Sequence, residues 1–253
     1  MNLHEAAAYL DVHYQTVYGW VRGGSLRATK SAANVYEITS DEIERFAAER
    51  SRPTPPTSRI RVRSWEHHVD RLLRASLSGD EQGARATIER LVDGSVSALE
   101  LCEYVIAPCL AEVGRRWHDG TVSIAVEHRA TAICERILAR LSSNPRGRPR
   151  GTAVVTTAVG ELHTVPSTMA ALALREDRWK IHHLGGNVPI ADVVRFADEV
   201  DADLVVISST NTEVEGAVEL LGDALRRSGH RTLIGHPGMS LGLLVEQARV
   251  IDD

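Results

Sequence analysis

Two short patterns in this sequence place chemically capable groups at fixed spacing. The first is Glu161-x-His163. An imidazole there can ligate a metal through one ring nitrogen. A carboxylate two residues earlier in an extended loop points to the same side and can accept the other ring N–H, which fixes the tautomer and raises ligand basicity. A loop histidine making an ordinary hydrogen bond is the alternative. The second is Trp117-x9-Glu127-His128, spanning Asp119-Gly120. A turn there brings two helix ends together, so that an indole, a carboxylate and an imidazole can face one cavity. The alternative is a core tryptophan beside a solvated Glu-His pair. His67-His68 and His182-His183 have no partner that the sequence places. Cys102, Cys109 and Cys134 are too few and too oddly spaced for a disulfide framework or a zinc site. They argue for a reducing, cytoplasmic setting.

The elements that must position these groups fall into three segments. Residues 51–63 and 142–151 are rich in Pro, Ser, Thr and Arg, the composition of exposed connections. The expected organisation is therefore a reader at 1–50, a linker at 51–63, a bundle at 64–143 and an α/β domain at 151–253. Apolar periodicity predicts helices near 64–78, 80–93, 95–117 and 122–141, a small up-and-down four-helix bundle. Beyond it, predicted strands at 152–158, 179–184, 204–209 and 232–234 alternate with helices. Strands apolar on both faces mean a doubly wound, flavodoxin-like parallel sheet. Ligands bind beyond the carboxyl ends of such strands, which is where 159–166, 185–189, 208–212 and 235–239 lie. His163 falls in the first of these loops.

Residues 1–50 read as a helix, a tight turn, a second helix over 14–22, two short strands (26–29 and 35–38) around a turn, and a last helix from residue 39. That is the winged helix-turn-helix plan. The second helix would enter a major groove with His13, Tyr14, Gln15 and Tyr18, with Arg22 near the backbone and Arg27 and Lys30 between helix and wing. The whole chain has 253 residues with 29 bases against 34 acids, net −5, which on its face speaks against nucleic acid. The positive charge is local: three bases sit between the second helix and the wing, and four arginines follow in 51–63. Hydrophobic residues make up 43%, enough for real cores. No run approaches the roughly 18 apolar residues of a membrane span, and the N-terminus shows no secretory pattern.

Three resemblances add to this reading. Residues 3–28, LHEAAAYLDVHYQTVYGWVRGGSLRA, resemble the excisionase/MerR-type helix-turn-helix, with His13 where that family usually has a serine cap. The order Glu161-x-His163, then LGGNVP at 184–189, then Ser208-x-Thr210 resembles the cobalamin-binding domain. Trp117-x9-Glu127-His128 beside such a domain and behind such a reader resembles the CarH/LitR family of cobalamin-dependent photoreceptors. The resemblance implies adenosylcobalamin held between bundle and sheet. His163 would be the lower axial cobalt ligand, with Glu161 behind it. Ser208 and Thr210 would line the pocket for the nucleotide tail, and Gly235 and Gly238 would let the backbone approach that tail. Trp117 and Glu127 would contact the adenosyl group, and His128 would become an upper ligand after light. Family glycines are replaced by Pro166 and His236 here, and a fifth strand and helix would lie beyond Asp253. The implied function is a non-enzymatic, light-responsive repressor, tetrameric on operator DNA in the dark. A corrinoid carrier of a methyltransferase system, or a regulator of the same fold sensing another ligand, are the alternatives.

Overall fold

The computed structural model describes residues 1–10, 17, 20, 21, 26–30, 36–50, 64–142 and 147–250. They form two compact units, 1–57 and 58–253.

In the first unit, α1 (Leu3–Tyr9) opens on a reciprocal cap. The Glu5 N–H donates to the Asn2 side chain at 3.0 Å and the Asn2 N–H donates to Glu5 Oε2 at 2.8 Å. Strands β1 (Thr29–Lys30) and β2 (Tyr36–Glu37) pair antiparallel, and α2 (Ser40–Arg50) follows. Residues 26–28 and 38, expected in strands at 26–29 and 35–38, lie outside the paired residues, and residue 35 lies outside the described ones. Leu26 and Ile38 are buried in the core with Leu3, Ala6, Val17, Trp20, Ile43 and Phe46. The rings of Trp20 and Phe46 lie 5.0 Å apart. His13, Tyr14, Gln15, Tyr18, Arg22 and the linker 51–63 lie outside the described residues, and only the backbone of Lys30 is described. Arg27 is exposed, and its backbone N–H donates to Glu42 at 3.0 Å.

In the second unit, α3 (Trp65–Ser78), α4 (Glu81–Asp93), α5 (Ala98–Leu101), a π-helical turn (Cys102–Ile106), α6 (Ala107–His118) and α7 (Ile124–Leu141) make the bundle. The residues that start these helices are oxygen-bearing caps: Ser64, Asp80, Ser97 and Ser123 each accept a first-turn N–H. Leu72, Ile88, Leu101, Ile106, Ile133 and Leu138 fill the bundle core. The three cysteines are buried there as free thiols.

The α/β part runs β3 (Thr152–Thr157), α8 (Val165–Glu176), β4 (Lys180–Gly185), α9 (Ile190–Glu199), β5 (Leu204–Ser208), α10 (Glu215–Arg227), β6 (Thr232–Gly235) and α11 (Leu241–Arg249). The sheet order is β4-β3-β5-β6, all parallel. Strand alternation divides the apolar side chains between two helical layers. Ala153, Val155, Leu204 and Val206 pack with α8 and α11, while Val154, Val205 and Ile207 pack with α9 and α10. Bundle and sheet share a core, because Val165, Met169 and Leu172 of α8 belong to the bundle cluster. Two carboxylates reinforce the junction by capping helix starts across it. Glu176 accepts the Ala98 and Leu99 N–H groups at 3.0 and 2.9 Å, and Glu103 accepts the Gly242 N–H at 2.9 Å.

Candidate functional site: a histidine loop at the carboxyl edge of the sheet

The chain leaves β3 through a turn that closes with the Glu161 N–H on the Ala158 carbonyl at 3.1 Å. Gly160 has φ +89°, a left-handed value that a side chain rarely tolerates. Its N–H donates to Asn187 Oδ1 at 2.9 Å, which ties this loop to the one after β4. The Asn187 N–H in turn donates to Thr157 Oγ1 at 3.2 Å. The two loops pass so closely that a Cβ on Gly186 would lie 2.8 Å from the Thr164 methyl and 3.2 Å from the Glu161 carbonyl. This contact explains the glycine there.

The turn drives Glu161 inward, to 1% exposure. Its Oε1 accepts the His163 N–H at 2.9 Å and lies 2.7 Å from His163 Nδ1. Its Oε2 accepts the Thr210 N–H at 2.9 Å, the Thr210 hydroxyl at 3.1 Å and the Asn211 N–H at 3.0 Å. Burial alone would raise the carboxyl pKa. The hydrogen bonds from the Thr210 and His163 backbone, the His163 ring and the Thr210 hydroxyl outweigh it and lower the value to about 2. An ionised Glu161 can only accept, so Nδ1 carries the proton, and the lone pair of a neutral ring would be that of Nε2. The His163 side chain is 68% exposed. An exposed imidazole is thus held by a buried carboxylate.

Around this pair the strand ends supply small or hydroxyl groups. Ser208 and Ser209 are buried at the end of β5, and the Ser209 N–H donates to the Gly235 carbonyl at 2.9 Å. Gly238 has φ +81°, so the backbone itself favours glycine. A Cβ on Gly235 would meet only ordinary contacts, 3.5 Å from Leu244; the chain's own packing does not demand glycine there. Thr210 donates both its N–H and its hydroxyl to Glu161. Pro166 sits in the first turn of α8, where a missing N–H costs nothing.

At the bundle end, Gly120 turns the chain with φ +71° and Ser123 caps α7. Glu127 Oε2 lies 2.5 Å from His128 Nδ1, and Oε1 accepts the Thr131 hydroxyl at 3.0 Å. The His128 side chain is 72% exposed. Trp117 is 48% exposed, which removes the reading of it as a core tryptophan. Among the described residues no hydrogen bond joins Trp117 to Glu127 or His128, and none joins these to Glu161 or His163. Large apolar side chains are left exposed beside both groups: Val159 and Leu162 flank Glu161 and His163, and Trp117 and Ile124 flank the bundle turn. Grouped exposed apolar surface marks a binding face. Sequence reasoning singled out Glu161, His163, Trp117, Glu127 and His128 and the LGGNVP motif at 184–189, but not the contacts made by Thr157, Gly186, Asn187 and Asn211. The Gly185-Gly186-Asn187 run carried a turn signal for three of the loop contacts.

Comparison with known proteins follows this geometry. Residues 1–51 match a helix-turn-helix domain, and residues 69–142 and 151–242 each match a B12 binding domain. Over 175 residues, 67% of this chain and 57% of the relative, the sequence is 28% identical to the HTH-type transcriptional repressor CarH of Myxococcus xanthus. It thus spans little more than half the length of that relative. It is 30% identical over 143 residues, 54% of this chain and 67% of the relative, to dimethylamine corrinoid protein 3 of Methanosarcina acetivorans. The structure of the Methanosarcina barkeri monomethylamine corrinoid protein superposes with a TM-score of 0.56 at 19% identity, covering 72% of this chain and 90% of that one. That likeness concerns the fold.

Proposed function

We propose a function for a chain that belongs to the B12-binding-domain family and carries a helix-turn-helix domain in front: it is a cobalamin-dependent transcriptional regulator, CarH-like in its domain order. The observation that carries this reading is the Glu161–His163 pair, with a buried carboxylate at 2.7 Å holding an exposed imidazole at the carboxyl edge of a parallel sheet. Neutral imidazole suits cobalt. The flanking Val159, Leu162, Trp117 and Ile124 fit the apolar faces of a corrin.

In this reading the cofactor is adenosylcobalamin, which when bound supplies a cobalt–carbon bond that light cleaves. His163 would offer Nε2 to the cobalt, and Glu161 would keep Nδ1 protonated. Buried Ser208 and the uncrowded Gly235 leave room for the nucleotide tail. Trp117 and Glu127 would contact the adenosyl group, and His128 would be a second imidazole able to ligate cobalt. The helix-turn-helix reads operator DNA through its second helix, and assembly as a tetramer multiplies weak single contacts. A ligand shifts such an assembly only by its differential affinity for two states, and the adenosyl group is the difference. The protein performs no catalysis of its own.

A corrinoid carrier is the second reading, favoured by the likeness to dimethylamine corrinoid protein 3. The helix-turn-helix at 1–51 is what a carrier does not need. Loading the purified chain with adenosylcobalamin and recording spectra and size before and after green light separates the two. Uptake with a light-dependent change in oligomer and DNA binding supports the regulator. Uptake without either change leaves the carrier, and no uptake removes both.

A further inference from the structure

The amino edge of the sheet, on the opposite side from His163, carries a basic surface that the cofactor site does not use. The chain enters β3 through Gly147-Arg148-Pro149-Arg150-Gly151, and in sequence Pro145-Arg146 precede it, so that arginine alternates with glycine and proline. Gly147 to Arg150 are exposed and belong to no helix or strand. Pro149 removes one N–H and biases Arg148 toward extended backbone. Gly147 has φ +115°. Gly151 passes so close to β5 that a Cβ would lie 2.7 Å from Asp203 Oδ2.

Two backbone hydrogen bonds fasten this strap to the start of β4. The Arg150 N–H donates to the Arg178 carbonyl and the Lys180 N–H to the Gly151 carbonyl, both at 2.9 Å. Arg150 and Arg249 share one carboxylate, Asp177, at 3.0 and 2.6 Å. Arg148, Arg178 and Lys180 are exposed and have no acidic partner among the described residues. Asp203 is occupied by the Thr152 N–H at 2.7 Å. Arg148, Arg150, Arg178, Lys180 and Arg249 thus face Asp177, Asp201, Asp203 and, beside Arg249, Glu246, a small local excess of positive charge on a chain whose overall charge is −5.

We propose that this edge is a second DNA-binding surface, led by Arg148, Arg178 and Lys180, that takes the minor groove of an A·T-rich duplex. It rests on the reading of the chain as a DNA-binding regulator. A narrow A·T minor groove concentrates negative potential and attracts inserted arginine. Glycine and proline keep the strap thin and non-helical, which lets backbone approach the groove. The cofactor edge lies at the other end of six-residue β3, roughly 20 Å away at strand rise, so both can be engaged at once.

The test uses the full chain and two short fluorescein-labelled duplexes, one wholly A·T and one wholly G·C, followed by anisotropy across a salt series. The Arg148→Gln/Arg178→Gln/Lys180→Gln variant should bind the A·T duplex at least tenfold more weakly. Its slope of log affinity against log salt should fall by about 2 to 3. These residues are exposed, so an unchanged thermal melt confirms the fold, and Arg150 is left in place because it braces Asp177. Binding within twofold of the parent overturns the proposal, as does tighter binding of anionic vesicles or single-stranded RNA than of the A·T duplex. Equal losses on both duplexes overturn the minor-groove assignment. A Tyr14→Ala/Arg22→Ala variant tests the reader separately. If it binds like the parent while the triple variant does not, the reader reading falls and this surface stands.

Discussion

The loop around His163 and the helix end around His128 hold their imidazoles in opposite ways. Glu161 is buried and gathers five donors from two loops, so His163 is fixed by a scaffold that spans three strand ends. Glu127 is partly exposed, and both its partners, His128 and Thr131, come from its own helix. The carboxylate that holds the first imidazole can move only if the loops move. The second imidazole can leave by rotating its own side chain. A site that must keep one ligand and exchange the other would be built with this asymmetry: the preorganised side supplies affinity and the loosely held side supplies the change.

If that contrast is right, the largest effect comes from the fixed side. His163→Ala should remove histidine ligation altogether, read as an absorption spectrum without the imidazole-bound form after loading with adenosylcobalamin. An unchanged spectrum would place the lower ligand elsewhere. Glu161→Gln should come next. The amide keeps the shape but turns an NH2 toward backbone donors that now face an anion. Apo stability should drop by roughly 1–3 kcal/mol in urea titration, and cobalamin affinity by about 10- to 100-fold. Stability and affinity that both match the parent would show that the buried anion does not orient the ring.

The same contrast explains what could be read from sequence. Strand and helix positions in the sheet follow from apolar periodicity, and they lie within two residues of expectation in most elements. Glu161 and His163 were legible because their spacing is local and their loop follows a strand. The three other donors to Glu161 come from Thr210 and Asn211, nearly fifty residues on, and no local pattern announces such a contact. Thr210 was accordingly expected to face the tail, whereas its hydroxyl faces Glu161. Gly186 is explained only by the passage of two loops. In the first unit Leu26 and Ile38, expected in the strands, lie in the core beside the ladder.

On the loosely held side the effects should be smaller. Trp117→Ala removes an indole that already faces solvent, so the apo protein should melt as before. Affinity for adenosylcobalamin should fall several-fold, as expected for losing an aromatic contact of about 0.5–1.5 kcal/mol. A cost in the apo protein with none in binding would return the indole to a structural role.

His128→Ala should be the mildest of all in the dark. Its ring is 72% exposed and among the described residues it bonds only to the neighbouring Glu127, so neither folding nor dark loading should change within experimental error. The difference should surface only after green light, when the spectrum should lack the second imidazole while His163 ligation persists. A dark defect as large as that of Glu161→Gln would erase the asymmetry, because it would mean His128 is as fixed as His163. An illuminated spectrum identical to the parent's would keep the asymmetry but remove His128 from the metal. Only a silent dark state with an altered illuminated one satisfies a ring that is held weakly in one state and bound in the other.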